Sequence, residues 1–262
     1  VYFVIDTTGS MNAEDYNGRN IRLDGVRSDM IALVSKLAGA HFSVLTFGRD
    51  TYLELPLTTD ASAVTAIANT LDPEVTIYGQ GSSISEPLEK LKQQVKQAAS
   101  RNSDRKTIVY YFGDGEQTSS DTPSSFASLS SYISGGGVLG YGTNEGGKMK
   151  EYIGYGEAGD YYITDWTVTP SRDALSKINE SNLQVIASQM GVSYRHQVKP
   201  GDVDSIVAKI DLAKLTGESK DINSRHDLYW LIAAPIVGIV AWELWTMRDL
   251  MASTKRSKRS QS

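Results

Sequence analysis

The sequence contains no cysteine. Disulfide bonds and thiolate metal sites are therefore excluded, while the redox compartment is left open. Histidine is scarce. His41, His196 and His226 are scattered along the chain, and each reads as structural or exposed rather than catalytic. The Gly-x-x-x-x-Gly-Lys-Ser/Thr, Gly-x-Ser-x-Gly and His-Glu-x-x-His patterns are also missing, which removes the commonest nucleotide-binding, serine-hydrolase and zinc-protease signatures. Basic residues are in deficit, with 26 Lys and Arg against 31 Asp and Glu. Nucleic-acid binding depends on neutralising phosphates, so an acidic chain is poorly suited to it. Neither an initiator Met nor a signal peptide opens the chain. It begins inside an apparent core strand, and residues upstream, a signal sequence or another membrane helix, are expected to have been removed or not included.

At 262 residues the chain can bury one substantial core plus appendages. Its hydrophobic content of 40% and charged content of 22% are ordinary for a globular protein. The C-terminus departs from this. Leu228 to Met247 is a run of 20 residues with one charge, Glu243. That is the length needed to cross a bilayer as helix. Tyr229 and Trp230 at one end, and Trp242 and Trp245 at the other, suit the two membrane interfaces. Pro235 is tolerable in a membrane span. Arg248, Lys255, Arg256, Lys258 and Arg259 follow, and the positive-inside rule assigns this tail to the cytoplasm. Residues 1–227 are then extracytoplasmic. Ahead of the apolar run the chain holds 21 basic and 29 acidic residues, a net of −8.

Hydrophobic periodicity predicts an α/β domain. Residues 1–6 read as a buried parallel strand and 42–47 as a second. Residues 51–57 alternate, as an antiparallel edge strand does. Leu23, Val26, Met30, Leu33, Val34 and Leu37 give residues 21–38 an amphipathic helix. Asp60 caps a helix over 61–71, and a further helix over 86–100 buries Leu88, Leu91 and Val95. Residues 107–112 form the central strand. A weak helix is expected over 126–133, and Gly135-Gly136-Gly137 reads as a turn into a strand over 138–141. Residues 143–173 are expected to form a hairpin around Tyr161-Tyr162-Ile163-Thr164, because a structureless loop of that length is rare. A helix capped by Asn179 and ended by Gly191, an edge strand over 192–198 and a helix over 202–214 complete the domain. Strands alternating with helices predict a doubly wound, mostly parallel sheet. The organisation is then a domain over 1–214, a linker over 215–227, a transmembrane helix over 228–247 and a basic tail over 248–262.

Three short loops carry the chemistry. Asp6-Thr7-Thr8-Gly9-Ser10-Met11 follows the first strand, Gly81-Ser82-Ser83-Ile84-Ser85 opens a helix, and Phe112-Gly113-Asp114-Gly115 ends the central strand. A doubly wound sheet collects the carboxyl ends of its strands at one edge, where ligands bind. Asp6, Thr8, Ser10, Ser82 and Asp114 can therefore line one pocket of oxygen donors. Such a set suits a hard divalent cation, Mg²⁺ first.

Together the three motifs resemble the metal-ion-dependent adhesion site of the von Willebrand factor A domain. The usual pattern is Asp-x-Ser-x-Ser, then a Thr, then Thr-Asp-Gly. Here Thr8, Ser82 and Gly113 depart from it, the first two keeping the hydroxyl. The resemblance implies that Thr8, Ser10 and Ser82 ligate Mg²⁺ (or Mn²⁺ or Ca²⁺) directly, with Asp6 and Asp114 acting through water. Gly140-Tyr-Gly-Thr-Asn-Glu-Gly-Gly147, Asn179-Glu-Ser-Asn-Leu-Gln-Val-Ile-Ala187 and Gly191-Val-Ser-Tyr194 are similar to the membrane-anchored Bat (aerotolerance-type) branch, often encoded beside MoxR-type AAA+ ATPases. The implied work is protein–protein interaction, with a partner's Asp or Glu filling an open metal position. Other membrane von Willebrand A proteins and a MoxR-type ATPase are the implied associates.

The rival reading is an enzyme. Asp-x-Thr-Gly-Ser also resembles the phosphorylated-aspartate loop of Mg²⁺-dependent phosphatases, with Asp6 as nucleophile. Against it, the residue two after Asp6 is Thr8 rather than a second Asp, and Glu116-Gln117-Thr118 replaces the Asn-Asp expected after the third loop. A non-enzymatic module is the expectation.

Overall fold

The computed structural model describes residues 1–208, apart from 80, 103–104 and 155, together with Trp242. Residues 1–208 lie within a unit spanning Val1–Leu215.

Six strands form the central sheet: β1 (Tyr2–Asp6), β2 (Phe42–Phe47), β3 (Thr51–Thr58), β4 (Ile108–Gly113), β5 (Gly135–Gly140) and, late in the chain, Ser193–His196. A hairpin of β6 (Lys150–Gly154) and β7 (Glu157–Tyr162) precedes that last strand, β8. The sheet order is β8-β5-β4-β1-β2-β3, and every pair is parallel except β2 with β3. The chain leaves β1 towards β2 and β3, then returns to β4 on the opposite side of β1. The switch point of the sheet therefore lies between β1 and β4, which is where a doubly wound fold binds ligands.

Helices cover both faces: α1 (Arg22–Lys36), α2 (Ala61–Asn69), α3 (Leu88–Arg101), α4 (Glu180–Met190) and the short α5 (Asp204–Val207). Alternation along the strands divides the core in two. Phe3 and Ile5 of β1, Tyr110 and Phe112 of β4 and Leu139 of β5 pack against α1, α2 and α5. Tyr2, Val4, Val109, Tyr111 and Val138 pack against α3 and α4. Each fully buried side chain of this kind contributes roughly 1.5–3 kcal/mol.

Several expectations are corrected. Gly135, Gly136 and Gly137 are part of β5, not a turn before it. A Cβ on Gly136 would lie 1.8 Å from the Val109 carbonyl oxygen, so the glycines let β5 lie close against β4. The helix expected over 126–133 is a single 3₁₀ turn, Phe126–Leu129. Tyr161 and Tyr162 sit in the second strand of the hairpin rather than at its tip, because β6 supplies the pairing partner at Lys150. The edge strand is shorter than 192–198, and α5 begins at Asp204. Among the described residues no helix is long and apolar enough to cross a membrane. The span expected over 228–247 lies outside the described residues, Trp242 excepted.

Candidate metal centre

β1 ends at Asp6, and the chain turns at once into a 3₁₀ helix, Gly9–Asn12. Asp6 makes that turn. Its Oδ1 accepts the Thr8 N–H at 2.9 Å and the Thr8 hydroxyl at 2.6 Å, and Thr8 Oγ1 lies 2.9 Å from Ser10 Oγ. The first motif is thus a chain of three oxygen side chains, all buried. Asp6 Oδ2 is different. It is buried and has no hydrogen-bond partner. Gly113 lies beside it, since a Cβ there would come within 3.2 Å of Oδ2. A side chain at that position would crowd Asp6.

Asp114, one residue past β4, is fully buried. Its Oδ1 accepts the Glu116 N–H at 2.9 Å, and its Oδ2 accepts from Arg22 at 2.7 Å. Ser82 is buried as well, and its backbone is bonded to the segment that follows the third loop. The Ser82 carbonyl accepts the N–H groups of Thr118 and Ser119, both at 3.0 Å, and Thr118 Oγ1 accepts the Ser82 N–H at 2.6 Å. Nearby, Tyr111 donates its hydroxyl to the Ile84 carbonyl at 3.2 Å.

The electrostatics are those of crowded, desolvated carboxylates. Burial, then the charge of Asp114, pushes the Asp6 carboxyl well above the ordinary carboxylate range, against the opposing bonds from Thr8. Glu116 is raised for the same two reasons. Among the described residues no group of three His, Cys, Asp or Glu converges as a metal site. The five candidates differ in kind, since three of their donors are hydroxyls. A buried carboxylate oxygen without a partner, beside linked hydroxyls, is chemistry that a hard cation with attached water completes. The residues present fit such an ion.

Two features escaped the motif reading. Arg22, the first residue of α1, is fully buried and joins the first and third loops. Its Nη1 donates to Asp114 Oδ2 and, at 3.3 Å, to the Ser10 carbonyl. Its Nε and Nη2 fork onto Asp15 at 2.8 and 2.9 Å. Burial opposes the charge of Asp15, but the Arg22 fork and Thr143 outweigh it and hold that carboxyl below its usual range. Glu74 is the second. It accepts the Arg49 N–H at 2.8 Å and a bond from the Gly9 N–H, bracing the first loop from outside. The sequence does hold a signal for Arg22. It stands on the same helical stripe as Val26, Met30 and Leu33, a charge where an apolar residue belongs.

Residues 1–117 match the sequence profile of the von Willebrand factor type A domain. The fold is a von Willebrand A fold. Solved structures agree. BatB from Bacteroides thetaiotaomicron has a TM-score of 0.63 at 20% identity, covering 82% of this chain and 97% of that one. An aerotolerance-related membrane protein from Bacteroides fragilis has 0.60 at 19%, covering 80% and 98%. Proximal thread matrix protein 1 from the mussel byssus, solved with a zinc-occupied MIDAS motif, has 0.50 at 19%, covering 82% and 44%. No curated protein matches the sequence. In this fold Arg22 joins the first and third loops at the carboxyl ends of β1 and β4.

Proposed function

We propose that this A domain is a membrane-anchored, divalent-metal-dependent protein-interaction module. Thr8, Ser10 and Ser82 would hold Mg²⁺, Mn²⁺ or Ca²⁺, and Asp6 and Asp114 would hold its water. The bound ion supplies a Lewis-acidic centre for a carboxylate of the partner. The observation that carries the reading is the orphaned Asp6 Oδ2, buried beside the Thr8–Ser10 hydroxyl pair. A hard cation, or a water that it holds, would satisfy that oxygen. The zinc-occupied site in the mussel protein of the same fold supports a divalent ion at this place. Likeness to Bat-type membrane proteins, with the apolar run and basic tail of the sequence, supports membrane anchorage with the domain outside. Other membrane von Willebrand A proteins and a MoxR-type ATPase system are the associates this reading proposes. Asp6 accepts two bonds from Thr8, which suits a scaffold carboxylate better than a nucleophile.

The test uses the full-length chain in detergent. A protein partner retained in Mg²⁺ should be released by chelator, and Asp6→Asn should lose it without chelator. Hydrolysis of a generic phosphate ester that depends on Asp6 would overturn this reading in favour of the enzyme.

A further inference from the structure

We propose that Arg22 is a resident cation that shares Asp114 with the metal ion and so sets how tightly the site holds that ion. This rests on the metal-binding reading above. A guanidinium at the first position of a helix runs against the helix dipole, so its reason must be tertiary. The structure supplies that reason. Every direction of the guanidinium plane is used. Asp15 takes the fork, Ser176 accepts through its hydroxyl at 2.7 Å and its carbonyl at 2.9 Å, and Asp114 and the Ser10 carbonyl take Nη1. The group also sits against Gly142, where a Cβ would fall 2.6 Å from it.

Three consequences follow. First, the two motif carboxylates are not equivalent. Asp114 has both oxygens engaged, by Arg22 and by the Glu116 N–H, whereas Asp6 keeps one open. Arg22 therefore acts through Asp114 as a positioning residue, holding it back from direct ligation. Second, Arg22 and the ion are like charges addressing one carboxylate in a water-poor site, which weakens ion binding. Third, without the ion the guanidinium still offsets Asp114, so the first and third loops stay joined. Ion occupancy becomes reversible rather than a condition of folding, the opposite of metal sites whose binding energy is the folding energy.

The experiment titrates Mg²⁺ into the full-length chain in detergent, with thermal melting of the same samples. Arg22→Gln should lower the metal-free melting temperature yet tighten Mg²⁺ by about tenfold or more, since tenfold needs only about 1.4 kcal/mol. Asp15→Asn leaves the guanidinium to Asp114 and should weaken Mg²⁺ by a similar factor. Arg22→Lys keeps the charge, so its Mg²⁺ affinity should stay near wild type although its melting temperature falls with the lost fork. Reduced melting temperatures with unchanged Mg²⁺ affinity in Arg22→Gln and Asp15→Asn would overturn the proposal and leave Arg22 merely structural. Should Arg22→Gln not fold, unchanged affinity in Asp15→Asn overturns it alone. If wild type takes up no ion, gain of binding in Arg22→Gln still supports the resident cation, and its absence overturns both readings.

Discussion

At the scale of single residues, the site is a set of carboxylates held in an unfavourable state. The Asp6 carboxyl is raised by burial and by Asp114. A folded-state pKa above the unfolded one means that the folded chain binds the proton more tightly. The stability this contributes is full below the ordinary carboxylate range and is lost as pH rises towards the raised value. Metal-free Asp6→Asn should therefore melt higher than wild type at neutral pH, by at least about 2–4 °C, the equivalent of about 1 kcal/mol. Mg²⁺ should raise wild type and leave the variant unmoved. Thermal melts with and without the ion, from pH 5 to 8, check both statements. A variant that melts below wild type in the absence of metal contradicts this electrostatic account. The hydrogen-bonded grouping of Asp6, Thr8 and Ser10 was legible, because motif chemistry is local and stands in the sequence. Arg22, Asp15 and Glu74 were not read, because their role depends on contacts between distant segments. Arg22 touches Asp114 across 92 residues and Ser176 across 154.

At the scale of elements, the long periodic segments were legible and the glycine-rich ones were not. α1 and α3 show their buried stripes plainly, and Gly191 ends α4 in the left-handed conformation that its position suggested. The Gly135–Gly137 run misled because glycine marks turns by propensity, and only tertiary crowding explains it inside a strand. Gly136 adopts φ +131 against the backbone of β4, a conformation closed to other residues. Gly136→Ala should cost about 3 kcal/mol or more, because β5 must move away from β4 to admit the methyl. Urea unfolding of the full-length chain would measure it, and a loss under about 1 kcal/mol would contradict the register described. The hairpin between β5 and α4 was legible only as an expectation, since its pairing partner, Lys150–Gly154, shows no clean alternation.

At the scale of the whole molecule, the fold brings the ends of β1 and β4 together at the switch point, and the sequence adds an apolar run with a basic tail. The proposed topology, with the domain outside and the tail in the cytoplasm, rests on that asymmetry. Cysteine is absent, so single probes are clean. A membrane-impermeant maleimide should label Ser120→Cys, which is exposed, and spare Ser262→Cys in intact cells with any outer membrane permeabilised. The reverse pattern would invert the orientation. The central claim is that the three loops make one metal centre, and titration calorimetry of the full-length chain with Mg²⁺ and Mn²⁺ tests it most directly. The account predicts one site per chain, with binding weakened at least about tenfold (about 1.4 kcal/mol) in both Ser10→Ala and Ser82→Ala. Equal affinity in wild type and both variants, or no binding in any of them, would contradict it.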